Sequence, residues 1–226
     1  MIELLKRRRQ LMDTSLIPSE YKRLQYVSTQ GAAYINTGVT CTGTMTFEVN
    51  FRITQKGQNH TFLCGGGENP GQNRNTIGIG WHYSDLTKYY IYRQSTNNTQ
   101  GKFSQNTWYN IKFKNDGWYE NNTLVKSVTT SSWTNRPFYL GTYCQSGNAA
   151  GVGYTDIGIC TIGSKTFYPV QRLSDDVVGF YCSDGTFKVS ASSTSFAAGP
   201  DFVNSGGALT PCKPISYALR VERRAA

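Results

Sequence analysis

Between Met45 and Ile53 the side chains alternate without a break. Met45, Phe47, Val49, Phe51 and Ile53 are apolar, while Thr46, Glu48, Asn50 and Arg52 are polar. A period of two over this length fits a β-strand with one face in a core and the other turned away from it. The strand therefore predicts Phe47, Val49 and Phe51 inside, with Glu48 and Asn50 facing away on a side that is either solvated or packed against another segment. Similar runs recur along the chain at 61–65, 76–83, 88–94, 107–114, 117–121, 123–128, 137–143, 153–162, 165–170, 177–182 and 186–190. Turn signals divide them, among them Asn69-Pro70-Gly71, Asn115-Asp116-Gly117 and Ser183-Asp184-Gly185. Roughly a dozen short strands with no helical pattern between them make an all-β, antiparallel sandwich or jelly roll.

Composition agrees. Aromatic residues make up 13% of the 226 residues, with 15 Tyr and 4 Trp, the residue types that strands favour. The net charge of +9 is uneven. Residues 1–23 hold six basic against three acidic groups, and residues 213–224 hold four against one. Basic ends of this kind dock on acidic protein surfaces or on nucleic acid. The six cysteines show no C-x-x-C spacing and only two histidines accompany them, so no metal site and no cofactor is expected. No secretory leader pattern and no apolar run of membrane-spanning length is read. The thiols are accordingly expected to be reduced, with Cys64, Cys160 and Cys182 filling core positions.

Three parts follow from this pattern. Residues 1–19 form a basic arm, 20–200 the β domain, and 201–226 a basic extension in which Pro211 and Pro214 argue against a central strand. The arm reads as a short helix over residues 2–12. Leu4 and Leu5 recur seven positions on as Leu11 and Met12, with Lys6, Arg7, Arg8 and Arg9 between. So short a helix is marginal alone in water, so these eight residues are expected to dock on a partner.

Two distant segments carry a resemblance. One is Tyr26-Val27-Ser28-Thr29-Gln30-Gly31-Ala32-Ala33-Tyr34-Ile35-Asn36-Thr37-Gly38; the other contains Phe167, Pro169, Arg172, Ser174, Asp175, Gly179, Tyr181, Gly185, Phe187, Phe196 and Gly199. Together they resemble the opening and closing strands of LamG-like (concanavalin A-like) jelly-roll domains, common in tail, fibre and accessory proteins of gut bacteriophages. Cys182 stands where that pattern has Asp, with Asp184 nearby. The resemblance implies a jelly roll over roughly residues 20–200, a binding or structural role, and a turn in which Asp175 caps backbone N–H groups.

Catalytic patterns are sparse. Glucanases of this fold carry E-x-D-x-x-E, which is not found here. His60 and His82 stand in unrelated polar surroundings, and Gly65-Gly66-Gly67 lacks the Lys-Thr/Ser ending of a phosphate loop. No enzyme activity is expected. Aromatic rings are the remaining candidates. Trp81, Tyr83, Tyr90, Tyr92 and Trp118 lie on neighbouring strands or just after a turn, and such rings stack on the C–H faces of sugars. An alternative role is core packing. The expected function is a bacteriophage virion protein, capsid-decorating, head-fibre or tail-associated. It would be anchored by its ends to other virion proteins or to further copies of itself. The alternatives are an adhesin for a host surface polysaccharide and, third, a glycan-degrading enzyme. No nucleic-acid motif accompanies the basic run. The expected location is the virion, after synthesis in the host cytoplasm.

Overall fold

The computed structural model describes residues 17–55, 62–67, 76–81, 89–93, 96–100, 103–114, 116–127, 136–145, 148–150 and 154–202. The docking residues Leu4, Leu5, Lys6, Arg7, Arg8, Arg9, Leu11 and Met12 lie outside this set, as do Tyr83 and residues 203–226.

Every regular element among the described residues is a strand. In chain order they are β1 (Tyr21–Arg23), β2 (Val27–Ser28), β3 (Ile35–Thr40), β4 (Phe47–Ile53), β5 (Phe62–Gly67), β6 (Thr76–Trp81) and β7 (Tyr89–Arg93). There follow β8 (Thr96–Gln100), β9 (Trp108–Lys114), β10 (Gly117–Glu120), β11 (Thr123–Ser127), β12 (Pro137–Leu140) and β13 (Tyr143–Gln145). The last are β14 (Asn148–Ala150), β15 (Thr155–Ile162), β16 (Lys165–Arg172), β17 (Val178–Cys182), β18 (Phe187–Lys188) and β19 (Ala197–Ala198).

They build two sheets. The larger runs β11-β10-β9-β4-β15-β16-β17-β18, with β1 on β16 and with β2 joining β15 to β19. The smaller runs β14-β13-β5-β6-β7-β8, with β12 between β5 and β3. The pairings are antiparallel apart from β13 on β5. One core lies between the sheets: Phe47, Val49, Phe51 and Ile53 from β4 pack with Cys64, Ile77, Ile79 and Leu140 from the other layer. The Phe47 ring lies 5.0 Å from Phe113 in its own sheet and 5.3 Å from Phe138 in the opposite one. Strand β4 thus has the alternation that its sequence predicts.

Glu48 and Asn50 face away from the core, as the alternation predicts, and are half-buried there by Lys112 and Asn110 of β9 and by the Ile159 carbonyl of β15. The expected core cysteines are in place: Cys64, Cys160 and Cys182 are at most 1% exposed, and Cys41 and Cys144 are buried with them. None of these five is disulfide-bonded.

The two motif-bearing segments meet. Strand β19 pairs with β2, and the Gly199 N–H donates to the Tyr26 carbonyl. A Cβ on Gly199 would stand 2.6 Å from that carbonyl oxygen, so the tight crossing requires glycine. At the other closing turn Arg172 donates from Nε to Asp175 Oδ1 at 2.9 Å and from Nη2 to Oδ2 at 2.6 Å. The Val177 N–H donates to Asp175 Oδ1 at 3.4 Å, the capping contact that the sequence implied. Arg172 also lies over the Phe187 ring, which packs on Tyr21 beside Tyr181.

Candidate functional site

The outer face of the larger sheet carries a connected row of polar side chains. Register sets it up: Glu48, Asn50 and Arg52 of β4 stand opposite Lys112, Asn110 and Trp108 of β9. On the other flank Glu48 faces Thr161, and Arg52 faces Asp156. At one end Lys112 Nζ pairs with Glu48 Oε2 at 2.9 Å. Asn110 Nδ2 donates to Glu48 Oε1 and to Asn50 Oδ1, both at 2.8 Å. Asn50 Nδ2 donates to the Ile159 carbonyl at 2.8 Å, next to the register shift that interrupts the β4–β15 ladder. Glu48 and Asp156 are four β4 positions apart in register, a separation of roughly 13 Å, and each is held by its own cation.

At the other end is a tighter cluster. Asp156 is 1% exposed. Its Oδ2 accepts from Arg52 Nε at 2.8 Å and from Arg52 Nη2, and its Oδ1 accepts from the Ser28 hydroxyl. Arg52 Nη2 also donates to the Tyr26 hydroxyl at 3.1 Å. The guanidinium carbon lies 5.0 Å from the Tyr26 ring centre and 5.3 Å from that of Trp108. The two rings are 5.6 Å apart and tilted by 56°. Partial burial works against the charge on Arg52, but the hydrogen bonds it donates to Asp156 and Tyr26 hold its pKa above the ordinary value. The Arg52 side chain remains 27% exposed and the rings of Tyr26 and Trp108 are half-buried. This is a rigid, partly open surface of aromatic faces and fixed polar groups.

Of the aromatic residues expected to stack on sugars, Tyr83 lies outside the described residues and Trp118 is the one whose surroundings are described. Trp118 is 0% exposed, paired in register with Phe113, and part of the core. It cannot stack on a ligand, and that expectation is corrected. Strands β6 and β7 do pair, but register divides their aromatic residues. Trp81 pairs with Tyr89 and shares the row of buried Ile77 and Ile79. Tyr90 and Tyr92 pair with Gly80 and Gly78, in the opposite row. The residues that gather instead, Tyr26 with Ser28, Arg52, Trp108 and Asp156, come from four segments as much as 130 positions apart. Tyr26 and Ser28 were visible in the opening motif and Arg52 on the polar side of β4. Their convergence has no signal in spacing.

No protein-family model matches the chain. No curated protein matches it either. Solved structures do. The Trypanosoma rangeli sialidase in complex with 2,3-difluorosialic acid, a covalent intermediate, aligns at TM-score 0.40 and 16% identity over 53% of this chain. The same enzyme with 2,3-difluoro-KDN aligns at TM-score 0.41 and 16% identity, also over 53% of this chain. The chain spans 20% of the length of each. The expectation of no enzyme activity is withdrawn, since these solved structures are of an enzyme, but a likeness at this TM-score assigns no activity to this chain. The likeness is one of fold, and no residue's role is taken from it.

Proposed function

We propose that this chain is a glycan-binding module of the LamG-like jelly-roll type, carried on a bacteriophage particle. The observation that supports glycan binding is the cluster at Tyr26, Arg52 and Trp108. It offers partly exposed ring faces for sugar C–H groups beside hydrogen-bonding groups whose positions are fixed by Asp156. The jelly-roll type and the particle rest on the opening and closing motifs. Affinity electrophoresis through gels containing host surface polysaccharide tests the binding. Trp108→Ala weakens retention by about tenfold or more, the loss of one stacked ring, while the melting temperature stays close to the parent's. Unchanged retention would remove the site from the proposal.

The virion reading is favoured by a separate observation, the concentration of positive charge in residues 1–23 and 213–224. In this reading the N-terminal segment is a helical arm that, with the C-terminal one, docks on capsid, fibre or tail subunits, or on further copies of the chain. A chain lacking residues 1–16 then folds but is lost from purified particles. Normal incorporation of that chain would overturn the docking role.

A further inference from the structure

We infer that the Tyr26–Arg52–Trp108 site accepts the anionic group, carboxylate or sulfate, of an acidic glycan. This rests on the glycan-binding reading and adds the chemical class of the sugar. Asp156 has no open capacity toward a ligand: one oxygen takes two bonds from Arg52, the other takes the Ser28 hydroxyl, and the side chain is 2% exposed. Arg52 has committed Nε and Nη2 and not Nη1. The Arg52 Nη1 group, the Trp108 indole N–H and the Tyr26 hydroxyl proton have no acceptor among the described residues. Neither Arg52 Nη1 nor the Trp108 nitrogen is among the buried unsatisfied atoms, so both open to solvent. The unused groups are three donors and one remaining lone pair of the Tyr26 hydroxyl oxygen, and they converge beside one guanidinium.

A site with three free donors and a single free acceptor suits an acceptor-only ligand group. A set of neutral sugar hydroxyls, each of which donates as well as accepts, finds here the Tyr26 oxygen as its one protein acceptor. A carboxylate or sulfate has only acceptors, and charge-assisted bonds to a guanidinium are about twice as strong as neutral ones. The carboxylate already present does not repel such a ligand at short range, because Asp156 sits behind Arg52 and is shielded by it. The other acid on this face, Glu48, lies at the far end of the row in its pair with Lys112. The flanking rings hold the guanidinium between them and present C–H stacking surface next to the charge.

The test uses the full chain, isothermal titration calorimetry, and three soluble probes: an oligogalacturonate, a sulfated dextran oligosaccharide and a neutral dextran oligosaccharide. The expected result is binding of one or both acidic probes about tenfold or more tighter than the neutral one. Arg52→Gln alone strands Asp156 and risks unfolding, so the decisive variant is Arg52→Gln with Asp156→Asn. It removes one charge of each sign and leaves the net charge of +9 unchanged. Non-specific attraction of polyanions to the basic flanks is therefore the same in both proteins. Circular dichroism verifies its fold. In this variant the preference for acidic probes shrinks to about twofold or less while any neutral binding persists. Retention of the full preference by the folded variant overturns the inference. Equal affinity of the parent protein for acidic and neutral probes overturns the inference and leaves the glycan reading standing. No binding of any probe overturns both. If the double variant does not fold, Arg52→Lys, which keeps the charge but loses the planar fork, takes its place: an undiminished acidic preference in it counts against the inference.

Discussion

Phe47 joins the two layers, stacked on Phe113 within its sheet and tilted against Phe138 across the core. Truncation to Ala removes contacts to both layers and leaves a void that neither rigid sheet can fill. Phe47→Ala should cost about 3–5 kcal/mol, read from the denaturant midpoint. Three positions on, Asn50 faces away from the core but is not idle. It donates to the Ile159 carbonyl and accepts from Asn110, half-buried. Asn50→Ala strands both partners and should cost about 1–2 kcal/mol, against near neutrality for an open surface residue. The alternation in 45–53 shows which side each residue takes. It does not show that the outer side is roofed, since that depends on Asn110 and Ile159, which arrive from elsewhere in the chain.

Among the elements, strands with an apolar row were legible and polar ones were not. Nearly every alternating run is a strand at or close to its expected bounds. Strand β8 was missed: Thr96-Asn97-Asn98-Thr99-Gln100 has no apolar residue, and its Asn-Asn-Thr reads as a turn. It is a strand because β7 offers five consecutive register partners. Strands β13 and β14, three residues each, are too short for any period to show. The glycines of β5 and β6 have a related cause. Gly78, at φ +159°, faces Gly65 across the ladder, and a Cβ there would lie 2.4 Å from the Cys64 carbonyl oxygen. That obstacle is backbone in mid-sheet and cannot turn aside. Gly78→Ala should therefore destabilise by about 3 kcal/mol through overpacking and an unfavourable φ. Gly185 also has positive φ, +87°, but nothing lies within 4 Å of its Cβ position. Gly185→Ala should cost about 1–2 kcal/mol, from conformation alone. Chemical denaturation of the pair separates crowding from dihedral strain; equal costs would show that crowding at position 78 is relieved.

Taken as a whole the molecule should lose stability toward both acid and alkali. The Thr186 hydroxyl and Lys165 hold the Asp184 carboxyl well below the usual carboxylate range, and Arg172 lowers Asp175. A pKa depressed by folding contributes stability that is present above the unfolded value, about 3.9, and is lost as pH falls below it. On the other limb burial, and then Cys144, pushes Cys41 up to about 12, and burial raises Cys64 as well. Their contribution is complete below the unfolded thiol value of about 8.5 and fades as pH rises beyond it. Melting temperature against pH should fall on both sides of neutrality. Asp184→Asn should flatten the acid limb and also reduce the alkaline loss, because Asp184 raises the Lys165 pKa and that contribution fades as pH rises. An unchanged acid limb would show that the Lys165–Asp184 pair contributes nothing measurable. At this scale the fold class was legible because period two and turn chemistry are local properties. The site was not, because Ser28, Arg52 and Asp156 become neighbours only after β2 and β4 have both paired with β15.

The meeting of β2 with β19 has a mechanical consequence. The pair is antiparallel, and the contacts run on outward from it, from Gly199 on Tyr26 to Gln25 on Pro200 and Phe202 on Arg23. The two segments therefore run side by side as far as Arg23 and Phe202, where the N-terminal one continues along β16 as β1. A force that pulls them apart peels this ladder like a zipper, opening its hydrogen bonds one after another instead of loading them together in shear. A tether fixed at both flanks holds the ladder shut. Tension applied between one flank and the distal loops would instead be borne by the sheets.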